Sequence, residues 1–383
     1  EGILKKVRRG YHSLVADWLI EQSGERAAEY TGLIAEHLER AGRAEEALGY
    51  LRQAGEQAAA QFANAEAVRY LTRALALLDH AGWELQRVLS ERYGLLLARE
   101  AVHDLVGQRA EQAADLAALE ALAGGLDDGG SQAAARRVEL ALRQTHYHES
   151  VSDFPAALES ARKAVAAAEQ AGDARGVTQG LIACGRALWP QSQCDQARET
   201  VDRALALARE RGDRSSEAAS LFVLGATAFR QDEFQVAAAH YEQALRVHRE
   251  LGERRKEVIC LSSLANIHVA TGDYSQAQAG FAQALTIDLE IGYRRGEAVN
   301  LTGLGNMHSN VGALAQARNT YERALPLFRL VGDRRGEGVA LGNLALVYLQ
   351  VGALERARDM SERTLALKQQ IGDRAGQLHA LAT

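Results

Sequence analysis

At 383 residues the chain is too long for one ordinary core, since domains usually run ~100–200 residues, so either several domains or a stack that grows by repetition is required. Three prolines, 5% aromatics and a predominance of Ala, Leu, Glu, Arg and Gln exclude a sheet-rich fold, because these are the strong helix formers and no strand-like β-branched run occurs. A formal net charge of −6 argues against a nucleic-acid surface, no stretch of 18 uncharged apolar residues is present to span a membrane, and the odd set Cys184, Cys194 and Cys260 suits a reducing, cytoplasmic setting.

The chain opens Glu1-Gly2-Ile3, with neither Met nor a signal-peptide pattern, and reads as a piece cut from something longer. Lys5, Lys6, Arg8 and Arg9 form the one basic cluster, which reads as a solvated helix face rather than a phosphate contact. Tyr30 to Glu39, then Gly42 to Ala47 and an Ala-rich helix, make a degenerate hairpin over 28–60; Asn64 to Leu78 is another helix, and a longer pair follows around 85–106 and 108–122. The glycine-rich stretch 124–130 is the best linker. The chain is therefore divided into an irregular helical region, 1–130, and a regular array, 131–383.

That array repeats every 40 residues. Glycines fall at 172, 212, 252, 292, 332 and 372; alanines at 157, 197, 237, 277, 317 and 357; leucines at 181, 221, 261, 301 and 341; and Phe154, Cys194, Phe234, Tyr274, Leu314 and Leu354 hold a further register. Within one unit Leu301, Leu304, Gly305 and His308 follow helical spacing, Gly312-Ala313-Leu314 interrupts, and Ala317, Tyr321, Ala324 and Leu325 line a second helix. Gly332 suits a left-handed stop and Asp333 an N-cap. A lone hairpin cannot bury its apolar face, so the expected fold is all-α, an α-α superhelix of stacked hairpins. Turns are expected at 151–153, 191–194, 231–233, 271–273, 311–313 and 351–353, with Pro326 kinking a second helix.

Leu301, Leu304, Gly305, His308, Ala317, Tyr321 and Ala324 fall where the tetratricopeptide repeat has its large apolar, Leu, small, aromatic, Ala, aromatic and Ala positions, and the array over 133–383 resembles that family. The unit of 40 residues exceeds the family's usual ~34 and is similar to the longer variety of kinesin light chains and cell-polarity adaptors. The phrases His12 to Trp18, Gly24 to Arg26, Ile34 to His37 and Ala63 to Glu66 resemble bacterial signalling proteins in which a P-loop ATPase of the STAND type joins a helical sensor array. Some of those carry a class III adenylate or guanylate cyclase domain, others a LuxR-type DNA-binding domain. The resemblance implies a C-terminal sensor regulating an attached ATPase or effector. The alternatives are a freestanding adaptor and the regulatory part of an adenylate or guanylate cyclase.

Little in the sequence carries chemistry. The 124–130 glycines have no adjoining Lys and no preceding strand, so no nucleotide loop is read there. His146 and His148 are two apart on a helix and point to different sides. His268 and His308 take the repeat's aromatic position. Cys184 and Cys194 read as small buried hydrophobes, with a disulfide between them as the alternative. No enzyme activity, cofactor or metal is expected.

A partner is expected instead: a protein or peptide, including a segment of the parent protein, on the concave face formed by the first helices. Rotation away from the packing face selects Arg186, Trp189, Phe222, Phe229, Arg230, Ser262, Asn266, Thr302, Asn306 and Asn310. Phe222, Phe229 and Trp189 are expected as exposed aromatic anchors, the alternative being burial by neighbouring helices. Asn266 and Asn306 occupy equivalent positions suited to a peptide backbone. Arg294-Arg295 and Arg334-Arg335 are expected to pair with Glu297 and Glu337.

Overall fold

The computed structural model describes residues 2–23, 27–79, 82–126 and 130–370, and among them every regular element is helical. Gly372, the phrase Gly24 to Arg26 and the middle of the 124–130 linker lie outside the described residues. Two compact units divide the chain, Glu1–Asp128 and Gly129–Thr383.

The first unit comprises α1 (Gly2–Ser23), α2 (Ala27–Ala41), α3 (Ala44–Ala60), α4 (Asn64–Asp79), α5 (Leu85–Val106) and α6 (Arg109–Gly125), each packed on the next. Ala16, Ile34, Leu38 and Ala47 are fully buried where α1, α2 and α3 meet. The α5–α6 hairpin buries a polar cluster beside Leu95, Leu96, Leu116 and Leu119: Glu100, His103, Gln112 and Asp115 are all buried. Gln112 Nε2 donates to Glu100 at 2.7 Å, and the Arg99 guanidinium donates to both oxygens of Asp115 at 2.6 and 3.0 Å. Buried polar groups need partners, and these supply one another's.

The second unit is six hairpins: α7 (Ser131–Ser150) with α8 (Phe154–Ala171), α9 (Ala174–Leu188) with α10 (Cys194–Glu210), α11 (Arg214–Arg230) with α12 (Phe234–Glu250), α13 (Arg254–Ala270) with α14 (Tyr274–Glu290), α15 (Arg294–Asn310) with α16 (Leu314–Val331), and α17 (Arg334–Gln350) with α18 (Leu354–Gln370). The alanine and leucine registers read from the sequence are the core: Ala157, Ala197, Ala237, Ala277 and Ala317 are fully buried, and Leu181 to Leu341 are at most 6% exposed. Small residues sit where aromatic rings come closest. A Cβ on Gly225 would stand 2.7 Å from the Tyr241 ring, and one on Gly305 only 2.4 Å from Tyr321. Pro326 lies inside α16 and the helix continues past it to Val331.

Each unit stops its helices twice with left-handed backbone. Gly172, Gly212, Gly252, Gly292 and Gly332 do so between units, with φ from 66 to 70°. Inside the hairpins Gly272, Gly312 and Gly352 do the same, while Ser152, Ser192 and Asp232 adopt φ of 59 to 62° without glycine's freedom. The side chains of Asp173, Asp213 and Asp333 then cap the next first helix, accepting from Gly176, Ser216 and Gly336 amides.

Successive units are tied by a charged clamp that recurs with the repeat. Glu217, Glu257 and Glu337, all buried, each take two arginines, one from the preceding second helix and one from their own: Arg209 and Arg214, Arg249 and Arg254, Arg329 and Arg334. Glu297 keeps only Arg294, because its unit has Leu289 where the others have Arg209, Arg249 and Arg329.

Candidate functional site: the face shared by the first helices

First helices of neighbouring units touch, α7 with α9, α9 with α11, α13 with α15 and α15 with α17, whereas the second helices do not pack on one another to a comparable extent. The first helices therefore lie on the inside of the curve. Each leaves one face open, and the 40-residue step carries that face from unit to unit. On α13 it presents Arg255, Ile259, Asn266 and Ala270; on α15, Arg295, Val299, Asn306 and Asn310; on α17, Arg335, Val339, Leu346 and Gln350. Ile259, Val299 and Val339 are 43, 46 and 46% exposed, a repeating apolar row.

The expected contact residues are placed unequally on this face. Asn266, Asn310, Arg186 and Arg230 are exposed, and Asn266 has no hydrogen-bond partner among the described residues. Arg186 donates from Nε to Glu149 at 3.1 Å. Burial pushes the Glu149 carboxyl up, but the nearby His146 ring and the Arg186 guanidinium outweigh it and hold it below its ordinary range. Asn306 is half-buried: its Oδ1 accepts from the Tyr321 hydroxyl at 2.7 Å and from Asn343 Nδ2 at 2.8 Å, so its amide oxygen is already committed.

Ser262 and Thr302 are not open. They are 8 and 7% exposed, because both lie on the side of the helix that meets the next first helix. Thr302 Oγ1 donates back to the Ala298 carbonyl at 2.9 Å, and Ser262 Oγ lies 2.8 Å from the Val258 carbonyl and 2.5 Å from Asn300 Oδ1. The three aromatics are half-buried rather than free-standing. The Phe222 ring centre is 5.2 Å from Tyr241, and that of Phe229 is 5.6 Å from Phe234. Pro190 ends α9 in the 3₁₀ turn Trp189–Gln191, which lays Trp189 on the core beneath while Arg230 sits 6.0 Å from its ring centre.

The second arginine of each Arg-Arg pair behaves differently from the expectation. Arg294 and Arg334 reach Glu297 and Glu337, but Arg295 donates to Asp333 at 2.6 Å, and Arg335 makes no contact with Glu337. One helical step of 100° separates the two arginines, so only the first can reach the clamp. Arg255 lies over the Tyr293 ring at 5.2 Å. Sequence reasoning missed this row, although the 40-residue spacing of Arg255, Arg295 and Arg335 was there to find it.

All three thiols are free and buried, with no disulfide between Cys184 and Cys194, and burial pushes Cys184 up to about 11 and Cys260 to about 12. Among the described residues no group of His, Cys, Asp and Glu could hold a metal ion, and no helix is long and apolar enough to cross a membrane.

The tetratricopeptide repeat family model matches residues 179–250, 216–290 and 296–370. No curated protein matches the sequence. Among solved structures, the chain is similar to the Rap conjugation gene regulator of plasmid pLS20 in complex with the Phr* peptide (TM-score 0.60, 12% identity, covering 85% of this chain and 95% of that one). It is also similar to a Rap protein complexed with competence and sporulation factor (TM-score 0.52, 13% identity, 86% and 99% covered). A third likeness is to a STAND protein with a tetratricopeptide repeat sensor from Pyrococcus horikoshii (TM-score 0.51, 13% identity, 82% of this chain and 51% of that one).

Proposed function

We propose that this run of tetratricopeptide repeats is a sensor whose ligand, a peptide or protein segment, lies along the open face of α9, α11, α13, α15 and α17. The observation that carries the reading is the shared face itself. First helices α13, α15 and α17 present equivalent surfaces in which exposed Ile259, Val299 and Val339 alternate with exposed polar side chains, and α9 and α11 continue the face with exposed Arg186 and Arg230. Apolar side chains left in solvent in a regular row mark an interaction surface more strongly than scattered ones. The solved structures of similar fold that contain the Phr* peptide or competence and sporulation factor support it.

Phe222, Phe229 and Trp189, each half-buried, form the apolar end of the surface, and Asn266 offers an uncommitted amide. The likeness to a STAND protein with a repeat sensor supports a further element: ligand binding regulates a signalling ATPase or another effector on the same polypeptide. The buried, protonated thiols fit work in a reducing cytoplasm.

The reading is tested by titrating a partner captured by the full chain against two variants. The triple change Ile259→Ser, Val299→Ser and Val339→Ser alters only the inner face. Glu242→Ala with Arg246→Ala alters exposed positions on second helix α12. Affinity should fall at least ~10-fold in the first, as for loss of ~1.4 kcal/mol, and stay unchanged in the second. The reverse pattern places the site on the outer face.

A further inference from the structure

We propose that the occupant is an acidic peptide segment, carrying a carboxylate side chain at about every third residue. This rests on the reading of the first-helix face as the binding surface and adds the chemistry of its occupant.

The charge distribution is the first ground. Helices α9, α11, α13, α15 and α17 contain eleven Arg and Lys against four Glu, an excess of seven positive charges in a chain whose net charge is −6. Second helices α10, α12, α14, α16 and α18 carry twelve of each sign. None of the four Glu is available to balance the face: Glu217, Glu257 and Glu337 are buried in their arginine clamps, and Glu297 is turned to Arg294. A surface of one sign selects partners of the other and speeds their encounter.

The second ground is the position of the excess. Arg255, Arg295 and Arg335 occupy the first turn of their helices, where the helix dipole disfavours cations. Helix stability therefore gives no reason for them. Arg295 has Asp333, but Arg255 and Arg335 have no carboxylate partner among the described residues. Each lies one turn from the exposed apolar side chain of its own helix, Ile259, Val299 or Val339. Each of these three units thus offers one guanidinium beside one apolar seat.

The spacing follows from geometry. Packed helices lie ~8–10 Å apart, and an extended chain advances ~3.3 Å per residue, so a segment crossing α13, α15 and α17 meets a new arginine about every third residue. The residues between the carboxylates supply the side chains that rest on Ile259, Val299 and Val339.

The test pans a random twelve-residue peptide library displayed on phage against the full chain, and then measures selected synthetic peptides by fluorescence anisotropy. Wild type should enrich Asp and Glu at least ~2-fold over the unselected library, with a three-residue spacing, and binding should weaken ~10-fold or more between about 50 and about 300 mM salt, as expected for exposed charge pairs. Arg255→Gln with Arg335→Gln, both exposed side chains, should weaken the same peptides ~10-fold with the circular dichroism spectrum and melting temperature unchanged. Should that variant fold poorly, the selected peptide with every Glu changed to Lys is measured on wild type, and it should not bind. Selection of uncharged or basic peptides, or acidic ones that bind the arginine variant equally well, overturns the proposal. Uncharged peptides that nevertheless fail on the Ile259→Ser/Val299→Ser/Val339→Ser variant would leave the first-helix face as the binding surface and remove only its preference for acid. Peptides unaffected by that variant remove both.

Discussion

Asp288 is the side chain least suited to its surroundings. It is 1% exposed at the end of α14, where the equivalent residues are Ala208, His248 and Phe328, and one carboxylate oxygen has no partner while the other accepts from Asn300 Nδ2 at 2.7 Å. Burial raises its pKa to about 6, the Asn300 hydrogen bond opposes that, and Glu297 adds to it. The unfolded chain keeps the ordinary value near 3.8. Since the folded pKa is the higher one, the group favours folding most below about 4 and loses that contribution as pH rises through about 6. Asp288→Asn should therefore stabilise the array at pH 8 by ~1–3 kcal/mol and by much less at pH 4, measured as the difference between urea unfolding midpoints of the two proteins. Equal effects at both pH values would show that Asp288 is ionised comfortably in the folded chain. At this scale the sequence was legible only in part. Helical spacing placed Asn266 and Asn310 on the open face, but Ser262 and Thr302 lie a fraction of a turn away, on the seam between first helices. Spacing within one helix does not reveal where its neighbour packs.

Between elements, the contacts of closest approach and the charged clamps set the geometry. Gly305→Ala puts a methyl against a Tyr321 ring that its hydroxyl anchors to Asn306, so the ring cannot move without losing that bond. A cost of ~1–3 kcal/mol is expected, read from thermal or urea unfolding. Glu257→Gln removes the charge that Arg249 and Arg254 share in a buried site, whereas Glu297→Gln removes one partner at a more exposed one. The first should cost ~1.5–3 kcal/mol and the second below ~1, and equal losses would mean the double clamp adds nothing. Helix boundaries were largely readable because Gly332 and Asp333, and their equivalents, mark ends by known backbone chemistry. The turns at 151–153, 191–194 and 231–233 were read, but not that Ser152, Ser192 and Asp232 would take the left-handed backbone that glycine takes at Gly272 and Gly312. The buried polar cluster of α5–α6 was equally hidden, because its Glu100, Gln112 and Asp115 look like solvated surface until they are paired.

At the scale of the whole array, each hairpin contacts only its neighbours, so stability should accumulate unit by unit. Chains ending after Gly332, and after Gly292, should melt at progressively lower temperatures while keeping helical circular dichroism in proportion to length. Abrupt loss of all structure on removing one hairpin would contradict a nearest-neighbour stack. The repeat made the architecture legible because identical spacing over six units leaves few other ways to bury Ala277 and Leu301. It did not make the ligand legible, since the open face is defined by what the packing leaves uncovered. The most direct test of that face is hydrogen exchange on the full chain with and without a saturating bound peptide. Added protection should fall on first helices α13, α15 and α17, with α14, α16 and α18 unchanged except where they adjoin them. Protection confined to those second helices, or to residues 2–126, would contradict binding along the inner face.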